Sequence, residues 1–98
     1  MQIILDVPDS LKLSEKTMIF KMFAQSMLNR LVVGELRYGK PTRKQKYHIR
    51  LSKESSSYLK EGNAEQILNI ANYCLLEWIA PGHPKHHFDN TVDSVTRD

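Results

Sequence analysis

The sequence predicts an all-α protein, a bundle of three main helices preceded by a short N-terminal extended arm or strand. Two segments carry most of that expectation. At 63–80, Asn63 follows Gly62 and precedes Gln66 by three residues, a capping-box spacing, while Pro81 cannot continue the hydrogen-bond ladder. Between these signals Ile67, Ile70, Ala71, Cys74, Leu75 and Trp78 recur at helical steps, and Leu68, Leu76 and Ile79 widen the apolar face until most sides of the helix should be buried. At 14–36, Met18, Ile19, Met22, Phe23, Met27, Leu28, Leu31 and Val32 supply a second apolar series, broadened by Phe20.

Taken in order, residues 1–9 form the arm: three aliphatics stand together in MQIILDVP before Asp6 and Pro8 stop the run. A lone strand is not stable, so this one pairs with its copy in a second subunit, packs across the helices or is an ordered lead-in. Ser10 or Ser14 caps the first helix, whose methionines serve either an adaptable contact surface or a flexible core. Gly34 ends that helix or is tolerated within it, and Gly39 with Pro41 ends it in any case. A second, shorter helix runs from Gln45 or Tyr47 to Glu61, with Gly62 in the C′ position. Its apolar residues are sparse, and Ser55, Ser56 and Ser57 make either a site of close approach or a weak exposed turn. Beyond the last helix, Pro81 and Pro84 stiffen a segment that folds back and is anchored by Phe88. Residues 89–98 are polar and read as a flexible tail.

Ninety-eight residues with 41% hydrophobic and 26% charged residues suit one small domain with a modest core, and a core that small makes self-association an expectation. Cys74 is the only cysteine, which excludes a disulfide framework; its place in the apolar series predicts a buried, inert thiol. No run approaches the roughly 20 apolar residues that span a bilayer. A soluble, cytoplasmic homo-oligomer without a membrane partner is expected.

Three features bear on chemistry. Glu65, Asn69 and Asn72 share a face of the third helix, and polar groups on a mostly buried helix need partners. Those partners are a bound ligand or neighbouring helices. From Arg37 to Arg50 the chain carries Lys40, Arg43, Lys44 and Lys46 with no acidic residue, and Tyr38, Tyr47 and His48 are interleaved. Phosphates can meet such cations while a base stacks on a ring such as Tyr47 or Tyr58; the plainer reading is a solvated connector, since the net charge is only +3. His83, His86 and His87 lie close together, but their spacing matches no closed zinc site. No phosphate-binding glycine loop, nucleophile motif or paired cysteines occur.

The segments MFAQSMLNRL and RLSKESSSYLKEGNAEQILNIANYCLLEWIAPGHPKHHF resemble small phage-encoded proteins of uncharacterised role. Over 50–76 the arrangement more distantly resembles the all-α MazG-like nucleotide pyrophosphohydrolases. In those enzymes an E-x-x-E helix faces an E-x-x-D helix, and four carboxylates hold magnesium on a nucleotide's phosphates. The resemblance implies metal-ligand roles for Glu54 and Glu65, but Ser57 stands at the second position and Leu68, Asn69 or Asn72 at the fourth. Half the ligand set is gone. The expected function is therefore non-catalytic binding of a nucleotide or nucleotide-derived signal, with countering a host defence as its purpose and no resident cofactor. Glu65, Asn69 and Asn72 would meet polar groups, Arg43, Lys44, Lys46 and Arg50 phosphates, and Tyr47 or Tyr58 a base. One alternative is an inhibitor that binds a host defence protein or nucleic-acid complex through the basic stretch. The other is a magnesium-dependent nucleotide pyrophosphohydrolase.

Overall fold

The computed structural model describes Asp6 and residues 15–90. The expected arm, both candidate serine caps of the first helix and the tail beyond Asn90 lie outside the described residues. Among the described residues the fold is three α-helices and one 3₁₀ turn, with no strand: α1 is Glu15–Tyr38, the 3₁₀ turn Arg43–Gln45, α2 Tyr47–Glu61 and α3 Ala64–Ile79. An all-α bundle is what the sequence predicts.

Helix ends follow local chemistry. Gly39, at φ 78°, donates its N–H to the Glu35 carbonyl at 2.9 Å, so α1 runs through Gly34 and stops where a left-handed residue is free of strain. Gly62 closes α2 in the same way, at φ 66° with its N–H on the Tyr58 carbonyl. Within α2, Ser55 and Ser57 hydrogen-bond back to the carbonyls of Leu51 and Lys53, so the serine run stays helical. At the start of α3 the Asn63 side chain accepts the Glu65 N–H at 3.0 Å. The reciprocal half of the expected capping box is not made. Gln66 instead turns its amide to Glu61, donating to Oε2 at 2.6 Å and tying α3 to the end of α2.

Packing differs from the sequence expectation. α2 and α3 form an αα-hairpin, and α1 lies antiparallel to α3, with Met27 beside Asn72 and Arg30 beside Glu65 and Asn69. Among the described residues few are buried: Tyr47, Gln66 and Asn72. α3 is not covered on most sides, since Ile67, Trp78 and Ile79 are exposed, and so is Cys74. Three helices offer each other too few faces to cover an apolar circumference that wide. The segment after α3 does fold back: a turn brings His86 N–H onto the His83 carbonyl, and Phe88 meets Trp78 edge to face with ring centroids 6.2 Å apart.

Candidate functional site: a cleft between the end of α1 and the hairpin

The C-terminal half of α1 diverges from the hairpin and leaves a cleft of about 680 Å³. Asn29, Arg30, Val33, Gly34, Arg37 and Tyr38 of α1 form one wall. Gln45, Tyr47 and Arg50 close the floor, and Asn69, Asn72, Tyr73, Leu76 and Ile79 of α3 form the other wall. Three arginines and Glu35 belong to this lining, and Glu65 pairs with Arg30 at its edge, so the balance of charge is still positive and the cleft favours anions.

Four of the residues predicted as ligand contacts line it: Asn69, Asn72, Tyr47 and Arg50. Asn72 is 7% exposed; its Nδ2 donates to the Met27 carbonyl at 3.3 Å, and its Oδ1 is buried without a hydrogen-bond partner. Buried amide oxygens are seldom left so. Tyr47 is 4% exposed and its hydroxyl donates to Gln45 Oε1 at 2.7 Å, which makes it a fixed floor for the cleft. Arg50 Nε donates to the Gln45 carbonyl at 3.2 Å, holding one face of the guanidinium while its other donors stay exposed.

The remaining predicted contacts lie elsewhere. Arg43, Lys44 and Lys46 are exposed on the 3₁₀ turn and its cap, outside the cleft, and Tyr58 is on the far end of α2. Lys46 adopts φ 51°, a left-handed conformation unusual for a lysine, between the turn and α2. Glu65 stands at the cleft edge, bound to Arg30 at 3.3 Å. Glu54 accepts from Asn69 Nδ2 at 3.4 Å, and Asn69 Oδ1 accepts from Arg30 Nη1 at 3.1 Å. Glu54 and Glu65 are thus the two ends of a chain whose middle is an amide and a guanidinium. That set does not suit magnesium, because a cation already holds Glu65 and a neutral amide separates the carboxylates. Among the described residues no three His, Cys, Asp or Glu side chains converge into a possible metal group. His83 and His87 turn their Nδ1 atoms to the backbone of Lys85.

The sequence reading missed Arg30 and Tyr73 as lining residues, and included Arg37 only as the start of the basic stretch. A signal for Arg30 exists: it is the one charged residue between Lys21 and Glu35, inside an otherwise apolar and amide series. A lone arginine there needs a carboxylate on the facing helix, and Glu65 is that carboxylate.

A second polar cluster fastens the floor of the cleft from behind. Glu77 accepts the N–H groups of Gly82 and His83 at 3.0 and 3.1 Å, and His48 Nδ1 lies 3.8 Å from its Oε1. Burial alone would raise the Glu77 pKa, but the two backbone N–H groups and the His48 imidazole together bring it below the ordinary carboxylate value. Gly82 fits against the 3₁₀ turn so closely that an added Cβ would sit 3.0 Å from the Arg43 carbonyl oxygen and 3.3 Å from Lys46 Cα. Among the described residues no helix is long and apolar enough to cross a membrane. Comparison with known protein families, curated proteins and solved structures finds no match to this chain.

Proposed function

We propose that the cleft binds a nucleotide or nucleotide-derived small molecule and performs no chemistry on it. The observation that carries this reading is the lining: Arg30, Arg37 and Arg50 around a largely apolar space, with Asn69 and Asn72 on one wall. Small-molecule sites typically measure about 300–1,000 Å³ and combine apolar walls with a few convergent polar groups, and this cleft has both properties. Arginine forks suit phosphate, the rings of Tyr38 and Tyr73 offer stacking surfaces, and the asparagine amides match the mixed donors and acceptors of a base edge. Sequestering a host-defence nucleotide is the purpose that the resemblance to small phage proteins supplies.

Native mass spectrometry of the purified protein, followed by denaturation and mass analysis of what is released, tests the proposal. A released nucleotide-like anion at fixed stoichiometry is the expected result. Gly34→Leu sharpens it, because Gly34 lines the cleft and a Cβ there meets nothing within 4 Å. A leucine there projects from the wall into the cleft, so it should abolish ligand retention without lowering thermal stability. An empty wild-type protein that also fails to bind a panel of nucleoside phosphates and cyclic dinucleotides sinks the reading.

A second reading rests on the exposed cations of the 3₁₀ turn. Arg43 and Lys44 make no ion pair among the described residues and are free to meet a phosphate path or an acidic protein surface. If a host defence complex is the partner, Arg43→Glu with Lys44→Glu should abolish inhibition while Gly34→Leu leaves it unchanged.

A further inference from the structure

α1 carries two apolar faces and the protomer uses one. Phe23, Met27 and Leu31 face the hairpin side and are partly covered. On the opposite side Met18, Met22, Gln25, Asn29, Val32 and Leu36 follow one another at steps of four, three, four, three and four residues. That is the alternation of a coiled-coil seam, and at about 100° per residue all six lie within about 40° of one line along the helix. The four apolar members are exposed: Leu36 83%, Met22 69%, Met18 65% and Val32 59%.

We propose that this seam is a self-association surface on which α1 packs antiparallel against α1 of a second copy. The seam reads the same in both directions about the level of Met27. In an antiparallel pair Met18 of one copy meets Leu36 of the other, Met22 meets Val32, and Gln25 meets Asn29. The two-fold repeats each layer, as a closed isologous interface requires. Gln25 Nε2 donates to Asn29 Oδ1 at 2.9 Å within the helix, which leaves the Gln25 Oε1 acceptor and the Asn29 Nδ2 donor to meet their counterparts across the dyad. A polar layer in an apolar seam fixes register.

Charge selects the direction. Lys21 and Glu35 both flank the seam on one side, at the position where antiparallel helices place like heptad positions together. Antiparallel pairing sets Lys21 against Glu35 of the second copy twice over, with Leu28 meeting Leu28 between them. Parallel pairing sets Lys21 near the uncharged Ser26 and carries Glu35 to position 40, a lysine beyond the end of α1, so neither charge meets an opposite one within the paired helices. The partner is therefore a second copy of this chain, because the seam is complementary to its own reverse in shape, amide chemistry and charge.

Sedimentation of the full chain at micromolar concentration should give twice the protomer mass. Met22→Asp with Val32→Asp should give a monomer that retains its helical circular dichroism, since neither residue is buried in the protomer. Direction is read by oxidation in a Cys74→Ser background. Met18→Cys with Leu36→Cys should form covalent dimers, whereas Met18→Cys alone should not, because the two copies of residue 18 are about 27 Å apart along an antiparallel pair. A monomeric wild type, a dimer indifferent to the aspartates, or efficient cross-linking through Met18→Cys alone would each overturn the proposal. The cysteine variants keep the test decisive even if the aspartates impair folding.

Discussion

The α2–α3 hairpin and α1 are held in place by different means. The hairpin is fastened at separate points: Gln66 to Glu61, Asn69 to Glu54, the buried ring of Tyr47, and the clamp of Glu77 on Gly82 and His83. α1, the longest helix, has no buried residue, and the polar contacts that join it to α3 are Asn72 on the Met27 carbonyl and Arg30 on Glu65 and Asn69. An exposed ion pair such as Arg30–Glu65 contributes little, about 0–1 kcal/mol. α1 is thus joined to α3 by a few polar contacts and the partly covered Phe23, Met27 and Leu31, while the apolar groups of its outward face gain nothing inside the protomer. The cleft forms where the two modes of attachment meet.

The largest expected effect is on the hairpin side. Tyr47→Ala removes the one buried aromatic ring among the described residues and should cost about 3–5 kcal/mol in chemical denaturation, the range for aromatic truncation in cores; a cost below 1 kcal/mol would show that the hairpin is no better anchored than α1. Gly82→Ala should cost about 1–3 kcal/mol, because the new methyl meets backbone rather than a yielding side chain.

Glu77→Gln should cost about 1–2 kcal/mol, as a neutral amide oxygen accepts the Gly82 and His83 N–H groups less strongly than a carboxylate. The pH dependence has a definite sign. With its folded pKa lowered, Glu77 contributes stability above the unfolded carboxylate value of about 4.3, and that contribution is lost as pH falls through the folded pKa. Denaturation series at descending pH should show this loss in the wild type and not in Glu77→Gln.

On the α1 side the smallest change goes the other way. Gly34→Ala should raise stability by about 0.5–1 kcal/mol, since alanine is the better helix former and its Cβ meets nothing within 4 Å. A loss of stability there would mean that α1 is held more closely than its exposed face indicates.

Much of the fold was legible in the sequence because helix ends are written in short-range chemistry. Gly39, Gly62, Asn63 and Pro81 each act on their own backbone, and each marks an end within a few residues of where the helix stops. Burial was less legible. The periodicity around Cys74 and Trp78 shows that a face is apolar without showing what covers it, and both residues prove exposed. The cleft was half legible: Asn69 and Asn72 announce a polar face on α3, but Arg30 completes it from a residue 39 positions away in the chain. Arg43, Lys44 and Lys46, by contrast, suggest phosphate contacts on charge alone, and all three are exposed outside the cleft.

The contact between Asn72 and the Met27 carbonyl spans 45 residues, and it sets synthesis against folding order. α1 is made before α2 and α3, yet the groups that receive it belong to α3. The hairpin contacts are close in sequence and close the shorter loops, so α2 and α3 should acquire protection in pulsed hydrogen exchange before α1 does. During that interval α1, which carries Met18, Met22 and Met27, is less sheltered than the hairpin. A growing chain of this protein therefore presents chaperones with the apolar faces of α1 before α3 is there to receive one of them, and polysomes bring several such helices close together.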